Sequence, residues 1–322
     1  MRKATPFVKT ALLASSLFLL PFIAHAQYYW DIGISTGASN YLGDMGGKQL
    51  TRRDFVSDMK MSQTHMTTTG LVRYKVNPFF SVKADIGWAR ISGDDRLSSN
   101  PGRNGRNLSF RNDLFEAAAQ AQFCFYEIND LGRTFKHKNS FRAYVGLGAG
   151  MVYNNPKALY NGNYVALRPL MTEGKRYTAV TGIIPASMGF YFTMNKQWRI
   201  GWDFTWRTTF TDYLDDVSTV YADPSTLSSA TAAALANRTH EKTNIDPAFA
   251  ENFTPGSKRG DPTHNDSYLT TSIDLSYVMR TKSDWEKQHA TWLHNRPGKF
   301  DNDHRYQQIL WWHVKRKVRI VF

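Results

Sequence analysis

The chain alternates apolar and polar residues along eight separate runs. The clearest run places Trp198, Ile200 and Trp202 on one face and Arg199 and Asp203 on the other. A period of two residues is typical of a β-strand with one apolar face. The other runs lie near residues 30–35, 66–76, 80–88, 115–125, 141–151, 178–194 and 269–280. The pattern therefore predicts an all-β fold of eight strands.

The connections between these runs are alternately short and long. Two tight turns, at 77–78 and 195–196, and a middling one at 128–140 contrast with long polar stretches. The long stretches are residues 39–64, 92–111, 154–177 and 212–265. Bacterial outer-membrane barrels have short periplasmic turns and long extracellular loops. We therefore expect an eight-stranded antiparallel transmembrane β-barrel with long extracellular loops; a soluble β-sandwich is the alternative, because it gives the same alternation.

The N-terminus has the pattern of a secretory signal peptide. Arg2, Lys3 and Lys9 precede an apolar run at 11–23, and Ala24-His25-Ala26 provides a cleavage site. Cleavage would remove three positive charges and lower the formal charge from +13 to +10. The single cysteine, Cys124, excludes an internal disulfide. We expect a signal peptide at 1–26, an outer-membrane β-barrel at 27–281 and a periplasmic C-terminal extension at 282–322.

The polar faces of the strands carry charges of both signs in nearly equal number. The interior of an eight-stranded barrel is just wide enough to be filled by side chains. Charges are costly in such a place unless they are paired and hydrogen-bonded. The sequence thus predicts a structural polar network in the lumen rather than a path for substrate. Its members would be Asp31, Arg73, Lys83, Asp85, Glu116, Arg142, Arg199, Asp203, Arg207, Asp274 and Arg280.

Signals for catalysis, metals or cofactors are weak. His65 and His137 fall at opposite predicted ends of the barrel, so they are not expected to share a catalytic site. The glycines at 146, 148 and 150 lack the strand-to-helix context of a nucleotide site, which favours a packing role. Calcium binding by Asp215-Asp216 or by 261–266 is left open. The expectation is no enzyme, no cofactor and no metal, with a barrel enzyme as the third-ranked alternative.

The C-terminal extension combines tryptophans with positive charge. Residues 282–322 contain nine Lys or Arg against four Asp or Glu. Aromatic anchors amid positive charge suit a protein interface. The candidate docking residues are Trp285, Trp292, Trp311, Trp312, Lys315, Arg316 and Lys317. Alternatively, the extension covers the barrel mouth or lies on the membrane, or its end at 314–322 forms a strand; nucleic acid is not an expected partner, because an exported chain meets lipid first.

Several motifs in the first half of the chain resemble the PorG family. The motifs are Asp31–Gly33, Ser39–Asp44, Arg73–Ser81, Arg90–Asp95 and Arg106–Asn112. That family consists of small outer-membrane barrels of the type IX secretion machinery. The resemblance implies a non-enzymatic subunit of a trans-envelope export complex, docked on a periplasmic secretion-ring lipoprotein and other secretion subunits. The alternative is a surface adhesin or ligand-binding barrel that acts through the loops at 154–177 and 212–265.

Overall fold

Eight antiparallel strands form a closed ring. The computed structural model describes residues 30–45, 59–129, 131, 139–195, 197–243, 251–279 and 318–320. The barrel strands are β1 Trp30–Leu42, β2 His65–Lys75, β3 Phe80–Asp94, β4 Ser109–Ile128, β5 Ser140–Tyr153, β8 Val180–Met194, β9 Trp198–Thr209 and β10 Ser267–Met279. Each pairs with the next along the chain, and β10 pairs with β1 to close the ring. The predicted eight-stranded antiparallel barrel is confirmed.

Shorter elements lie outside the barrel wall. β6 (Lys157–Tyr160) and β7 (Asn163–Ala166) form a hairpin, and β11 (Val318–Ile320) pairs with the end of β4. The short α-helices are α1 (Pro101–Arg106) and α2 (Ala230–Ala236). One-turn 3-10 helices cover Met61–Gln63, Asp95–Leu97, Arg168–Leu170, Pro224–Thr226 and Thr239–Glu241. No helix in the described part of the chain is long and apolar enough to cross a membrane.

The barrel is apolar outside and charged inside. The outward side chains of Ile86, Leu147 and Ile273 are 74%, 62% and 61% exposed, whereas Asp31 and Lys83 on the inner face are 0% and 5% exposed. All the strands of the described residues belong to this one closed sheet, so they form no second sheet against which the apolar face could pack. An outward apolar surface around a polar interior is the arrangement of a transmembrane β-barrel. The soluble β-sandwich is thereby excluded.

Glycines on the inner face of β5 let two strands approach closely. A Cβ added at Gly148 would collide with the Ala119 carbonyl oxygen of β4, and one at Gly150 would lie 2.6 Å from the Ala118 Cβ. Both positions therefore require the smallest residue. The glycines act in packing, as the sequence predicts.

The two ends of the barrel differ. We call the end with the turns at 76–79, 129–139 and 195–197 the turn end, and the opposite end the loop end. The loop end carries the loop cap, defined as the described residues 43–45, 59–64, 95–108, 154–179, 210–243 and 251–266. β4 extends past the start of β3 at the turn end, because Phe80, the first residue of β3, pairs with Phe123. β11 pairs with Tyr126–Ile128 in this protruding part of β4, so β11 lies at the turn end. The predicted signal peptide at 1–26, and 282–322 apart from β11, lie outside the described residues.

Candidate functional site

Paired charges fill the part of the lumen nearer the turn end. Arg73 lies 3.5 Å from Asp31 and 3.6 Å from Asp274, and Arg199 also pairs with Asp31. The ring of Tyr191 lies between the two guanidinium groups, 4.8 Å from Arg73 and 4.9 Å from Arg199. All these side chains are buried. The geometry holds two cations and two carboxylates in one tier across the barrel.

Two further tiers follow toward the loop end. Lys83 contacts Asp203 at 3.3 Å and Asp85 at 3.6 Å, and the Tyr144 hydroxyl donates to Asp203 at 2.6 Å. Above them, Arg207 donates to Glu116 at 2.6 Å. The Tyr268 hydroxyl donates to the other oxygen of Glu116 at 2.5 Å. Every ionised group in these tiers has an oppositely charged neighbour, as buried charges require.

Arg142 pairs with a carboxylate that the alternation of the sequence does not place in the lumen. Its partner is Glu127, at 2.8 Å. A β-bulge between Cys124 and Tyr126 adds one residue to β4, so the alternation reverses and Glu127 turns inward opposite Arg142. A strict period of two places Glu127 on the outer face. A bulge leaves no clear mark in the sequence of this strand.

A small cavity lies among the paired charges of the lumen. The structure places ten of the eleven predicted network residues in the barrel interior, and Arg280 lies outside the described residues. A cavity of about 10 Å³ between Ser35, Lys83 and Asp203 is about the smallest that holds one water molecule. This interior resembles a packed polar core more than a channel.

At the loop end, an apolar cluster joins the loops to the strand ends. Ile91, Leu114, Val152, Leu214 and Leu235 are fully or almost fully buried and belong to one cluster. These residues come from β3, β4, β5 and the first half of the longest loop, where Leu235 lies in α2. The loop cap thus has a core of its own above the lumen.

Two buried arginines connect the loops to one another. Arg106 donates to Asp95 at 2.7 Å and to the backbone oxygen of Asp44 at 2.9 Å, joining the first and second loops. Arg259 donates to Glu173 at 2.8 Å and lies 3.7 Å from Asp216, joining the third and fourth. Burial raises the pKa of Glu173, but Arg259 and two backbone N–H donors outweigh it, and the pKa falls below its usual range. Glu173 therefore stays ionised at neutral pH.

A tyrosine hydroxyl bridges two buried carboxyl groups of the longest loop. The Tyr41 Oη lies 2.7 Å from Asp215 Oδ2 and 2.7 Å from Asp266 Oδ1, and it accepts the Asp44 N–H at 2.9 Å. One hydroxyl proton cannot serve two carboxylates, so one of the two carboxyl groups must carry a proton of its own. Burial and the neighbouring Asp266 carboxylate raise the pKa of Asp215 well above its usual value. The geometry and the raised pKa agree.

The candidate calcium and catalytic residues lie apart from one another among the described residues. Asp215 and Asp216 point to different partners, Tyr41 and Arg259, and no group of three potential metal ligands occurs in the described part of the chain. His65 lies 2.7 Å from Ser92 Oγ, but within the described ranges no carboxylate is hydrogen-bonded to its ring. His137 and the predicted docking residues, which are Trp285, Trp292, Trp311, Trp312, Lys315, Arg316 and Lys317, lie outside the described residues.

Comparison with solved structures gives distant likenesses to outer-membrane barrels. Ail of Yersinia pestis in complex with the heparin analogue sucrose octasulfate is 9% identical, covering 78% of this chain and 99% of that one, with a TM-score of 0.31. OprG of Pseudomonas aeruginosa is 9% identical, covering 80% of this chain and 99% of that one, with a TM-score of 0.34. The N-terminal barrel domain of OprF from the same organism is 7% identical, covering 77% of this chain and 97% of that one, with a TM-score of 0.30.

Comparison by sequence gives a family without an assigned function. No curated protein matches the chain. One protein-family model matches residues 10–230, which is more than half of the chain. The match begins before β1 and extends through the first seven barrel strands into the longest loop. The chain therefore belongs to the family described as Domain of unknown function (DUF6089).

Proposed function

We propose that this barrel lies in the outer membrane and serves as a non-enzymatic subunit of a trans-envelope protein-export complex of the type IX kind. The observation that carries the proposal is the lumen packed with paired charges. A barrel filled in this way acts through its ends rather than through its interior. The turn end would face the periplasm, because short turns lie on that side in bacterial outer-membrane barrels.

The PorG-like motifs support this assignment because three of them meet in space. Arg106, from the motif Arg106–Asn112, binds Asp95 of Arg90–Asp95 and the backbone of Asp44 in Ser39–Asp44. The ring of Phe110 lies 4.9 Å from that of Tyr41. The motif residues therefore contact one another and form one structural unit, the base of the loop cap.

The C-terminal extension is the proposed docking element. β11 pairs with the protruding end of β4 at the turn end, so the extension both leaves the barrel and returns to it on one side. Its tryptophans and lysines would then be available to a periplasmic lipoprotein ring and to other secretion subunits. Aromatic and arginine anchors commonly dominate the energetics of such interfaces.

Deletion of residues 282–322 tests the proposal. In the native host we expect the shortened barrel to insert normally while cargo secretion is lost, and we expect Trp311→Ala with Trp312→Ala to weaken crosslinking to periplasmic partners. A matched control replaces the β6–β7 hairpin by a short Gly-Ser linker, which should leave secretion unchanged. Normal secretion by the deletion variant would contradict the proposal.

A surface-binding role through the loops is the second candidate. It is favoured by the loop cap, whose buried apolar cluster and arginine bridges give the loops a fixed shape. If this role is the main one, the hairpin replacement should abolish binding to the target surface, whereas deletion of 282–322 should not. The same two variants therefore separate the two functions.

A further inference from the structure

Positive charge on the outer face of the barrel strands is confined to one sector. Among the described residues of the eight barrel strands, the only outward-facing Lys or Arg are Arg90 of β3 and Arg111 of β4. The outer faces of the other six strands carry neither residue type in their described parts. Lys157, at the start of β6, is the registered partner of Arg111 and adds a third positive charge to the same sector.

A row of aromatic rings lies just below these charges, on the side toward the barrel middle. Trp88, Phe115 and Tyr153 are registered partners on three adjacent strands and face outward. Outward aromatic rings form girdles at the level of the lipid headgroups in membrane barrels. Arg90 lies four residues beyond the lipid-exposed Ile86, about 14 Å along the strand. The basic sector therefore lies at headgroup height.

The guanidinium groups are held in place by aromatic faces. Arg111 lies 3.6 Å above the centroid of Tyr164, Arg90 lies 5.3 Å from that of Trp88, and Arg168 lies 5.9 Å from that of Tyr153. Stacking fixes the plane of a guanidinium and leaves its N–H edge free for a planar or tetrahedral anion. The three arginines come from β3, β4 and the third loop, so they approach one region from different sides.

The charges in this sector are not neutralised by the described part of the chain. Asp113 binds Arg90 at 2.7 Å, but Arg111, Lys157 and Arg168 have no carboxylate partner among the described residues. Arg111 Nε is buried and has no hydrogen-bond acceptor there. Four cations against one carboxylate leave an excess of three positive charges beside the lipid. An anionic group with several acceptor oxygens would satisfy them.

We propose that the outward sector of Arg90, Arg111, Lys157 and Arg168 binds the phosphate of a lipid headgroup in the leaflet around the loop end. Phosphate oxygens accept bidentate hydrogen bonds from arginine, and the acyl chains of the same lipid would lie along the apolar surface below the aromatic row. The site holds one lipid at a fixed position around the circumference of the barrel. It depends on membrane insertion alone and not on the export role.

Lipid retention by the full-length protein tests the site. The purified barrel is incubated with diphosphoryl lipid A or with its dephosphorylated form, and bound lipid is counted by native mass spectrometry. We expect preferential retention of the phosphorylated lipid, and a loss of about tenfold or more in affinity for the triple variant Arg111→Gln, Lys157→Gln, Arg168→Gln. None of these three residues forms an ion pair within the described structure, so the barrel of the triple variant should still fold. Its heat-dependent mobility on a gel checks that it does.

The matched control removes the same charge elsewhere in the loop cap. Lys175→Gln, Arg176→Gln and Lys258→Gln alter three exposed cations and should leave lipid retention unchanged. Equal retention of both lipid forms, or an equal loss in the control variant, would overturn the proposal. Displacement of the lipid by inorganic phosphate at comparable concentration would also overturn it, because the site would then select the free ion. If the triple variant fails to fold, Arg168→Gln replaces it, because the Arg168 side chain lies outside the barrel wall. The single variant should likewise retain less of the phosphorylated lipid, and unchanged retention would overturn the proposal.

Discussion

At the level of single residues, the protein depends on protons and charges held where water is scarce. The Tyr41 hydroxyl, between Asp215 and Asp266, requires one protonated carboxyl group, and Arg207 lies buried against Glu116. The sequence predicts Arg207 and Glu116 as lumen residues because the period of two reaches them. It does not predict the bridge at Tyr41, since its partners are 174 and 225 positions away and follow no periodic pattern.

The protonated carboxyl pair should make the loop cap more stable in mild acid. Burial raises the pKa of Asp266 and Asp215, and it raises that of Asp216 to about 6. A raised pKa means that the folded cap holds more protons than the unfolded one, so its stability is full at low pH and falls as the pH rises through the folded-state pKa. We expect the free energy of unfolding of the cap to fall by about 1–3 kcal/mol between pH 5 and pH 8. Hydrogen-exchange protection of residues 211–219, corrected for intrinsic rates, measures this.

An isosteric amide should remove part of that pH dependence. Asp215→Asn can still accept the Val217 N–H and can donate to the Tyr41 oxygen without a titrating proton. Protection at pH 8 should then approach the value at pH 5. The exposed Asp223 provides the control, because Asp223→Asn lies outside the cluster and should leave the profile unchanged. A pH-independent cap in the unmodified protein would contradict the protonated bridge.

The pair of Arg207 and Glu116 should be costly to break and cheaper to remove as a unit. Arg207→Leu leaves the Glu116 carboxylate without its cation, which we expect to destabilise the barrel by about 3–5 kcal/mol. Adding Glu116→Gln should recover part of the loss. Urea unfolding of the single and double variants in vesicles measures the coupling. If Arg207→Leu and the double variant were equally stable, the unpaired Glu116 carboxylate would not be the source of the loss.

At the level of elements, strands and loops differ in how much of them the sequence predicts. The strand faces follow from alternation, except at the β4 bulge, where Glu127 changes face. The strands are longer than the predicted runs: β1 continues to Leu42 and β4 begins at Ser109, within stretches that the sequence assigns to loops. The loop lengths are also predicted, but not the cap, because Arg106 and Arg259 reach partners 62 and 86 residues away. Such contacts depend on the closed ring, which brings all four loops to one end. Their members cannot be identified before the ring is known.

Removing the link between the third and fourth loops should loosen the cap alone. Arg259→Gln deprives Glu173 and Asp216 of their cation, so hydrogen exchange at residues 172–177 and 214–219 should rise by about tenfold or more. The barrel strands should keep their protection. Lys258→Gln changes the neighbouring exposed cation and should have no effect. Faster exchange throughout the barrel would mean that the cap and the wall unfold together.

At the level of the whole molecule, the barrel works as a filled cylinder with two different ends. The turn end carries β11, and the loop end carries the cap and the basic lipid-facing sector. The paired charges of the lumen predict that the protein does not conduct ions at a level typical of porins. Planar-bilayer recordings of the purified barrel check this, with a porin reconstituted in parallel. Stable, voltage-independent open currents of porin size would show that the lumen charges rearrange.

A membrane-spanning barrel requires that the apolar face of the closed ring lies against lipid. Spin labels at Ile200, Trp202 and Phe204 in the reconstituted protein measure this contact, with exposed Lys175 and Lys258 of the loop cap as aqueous references. We expect oxygen dissolved in the bilayer to relax the three strand labels strongly, whereas a water-soluble nickel complex should not, and the references should behave in the opposite way. Strand labels as accessible to the nickel complex as those at Lys175 and Lys258 would contradict a membrane-spanning barrel.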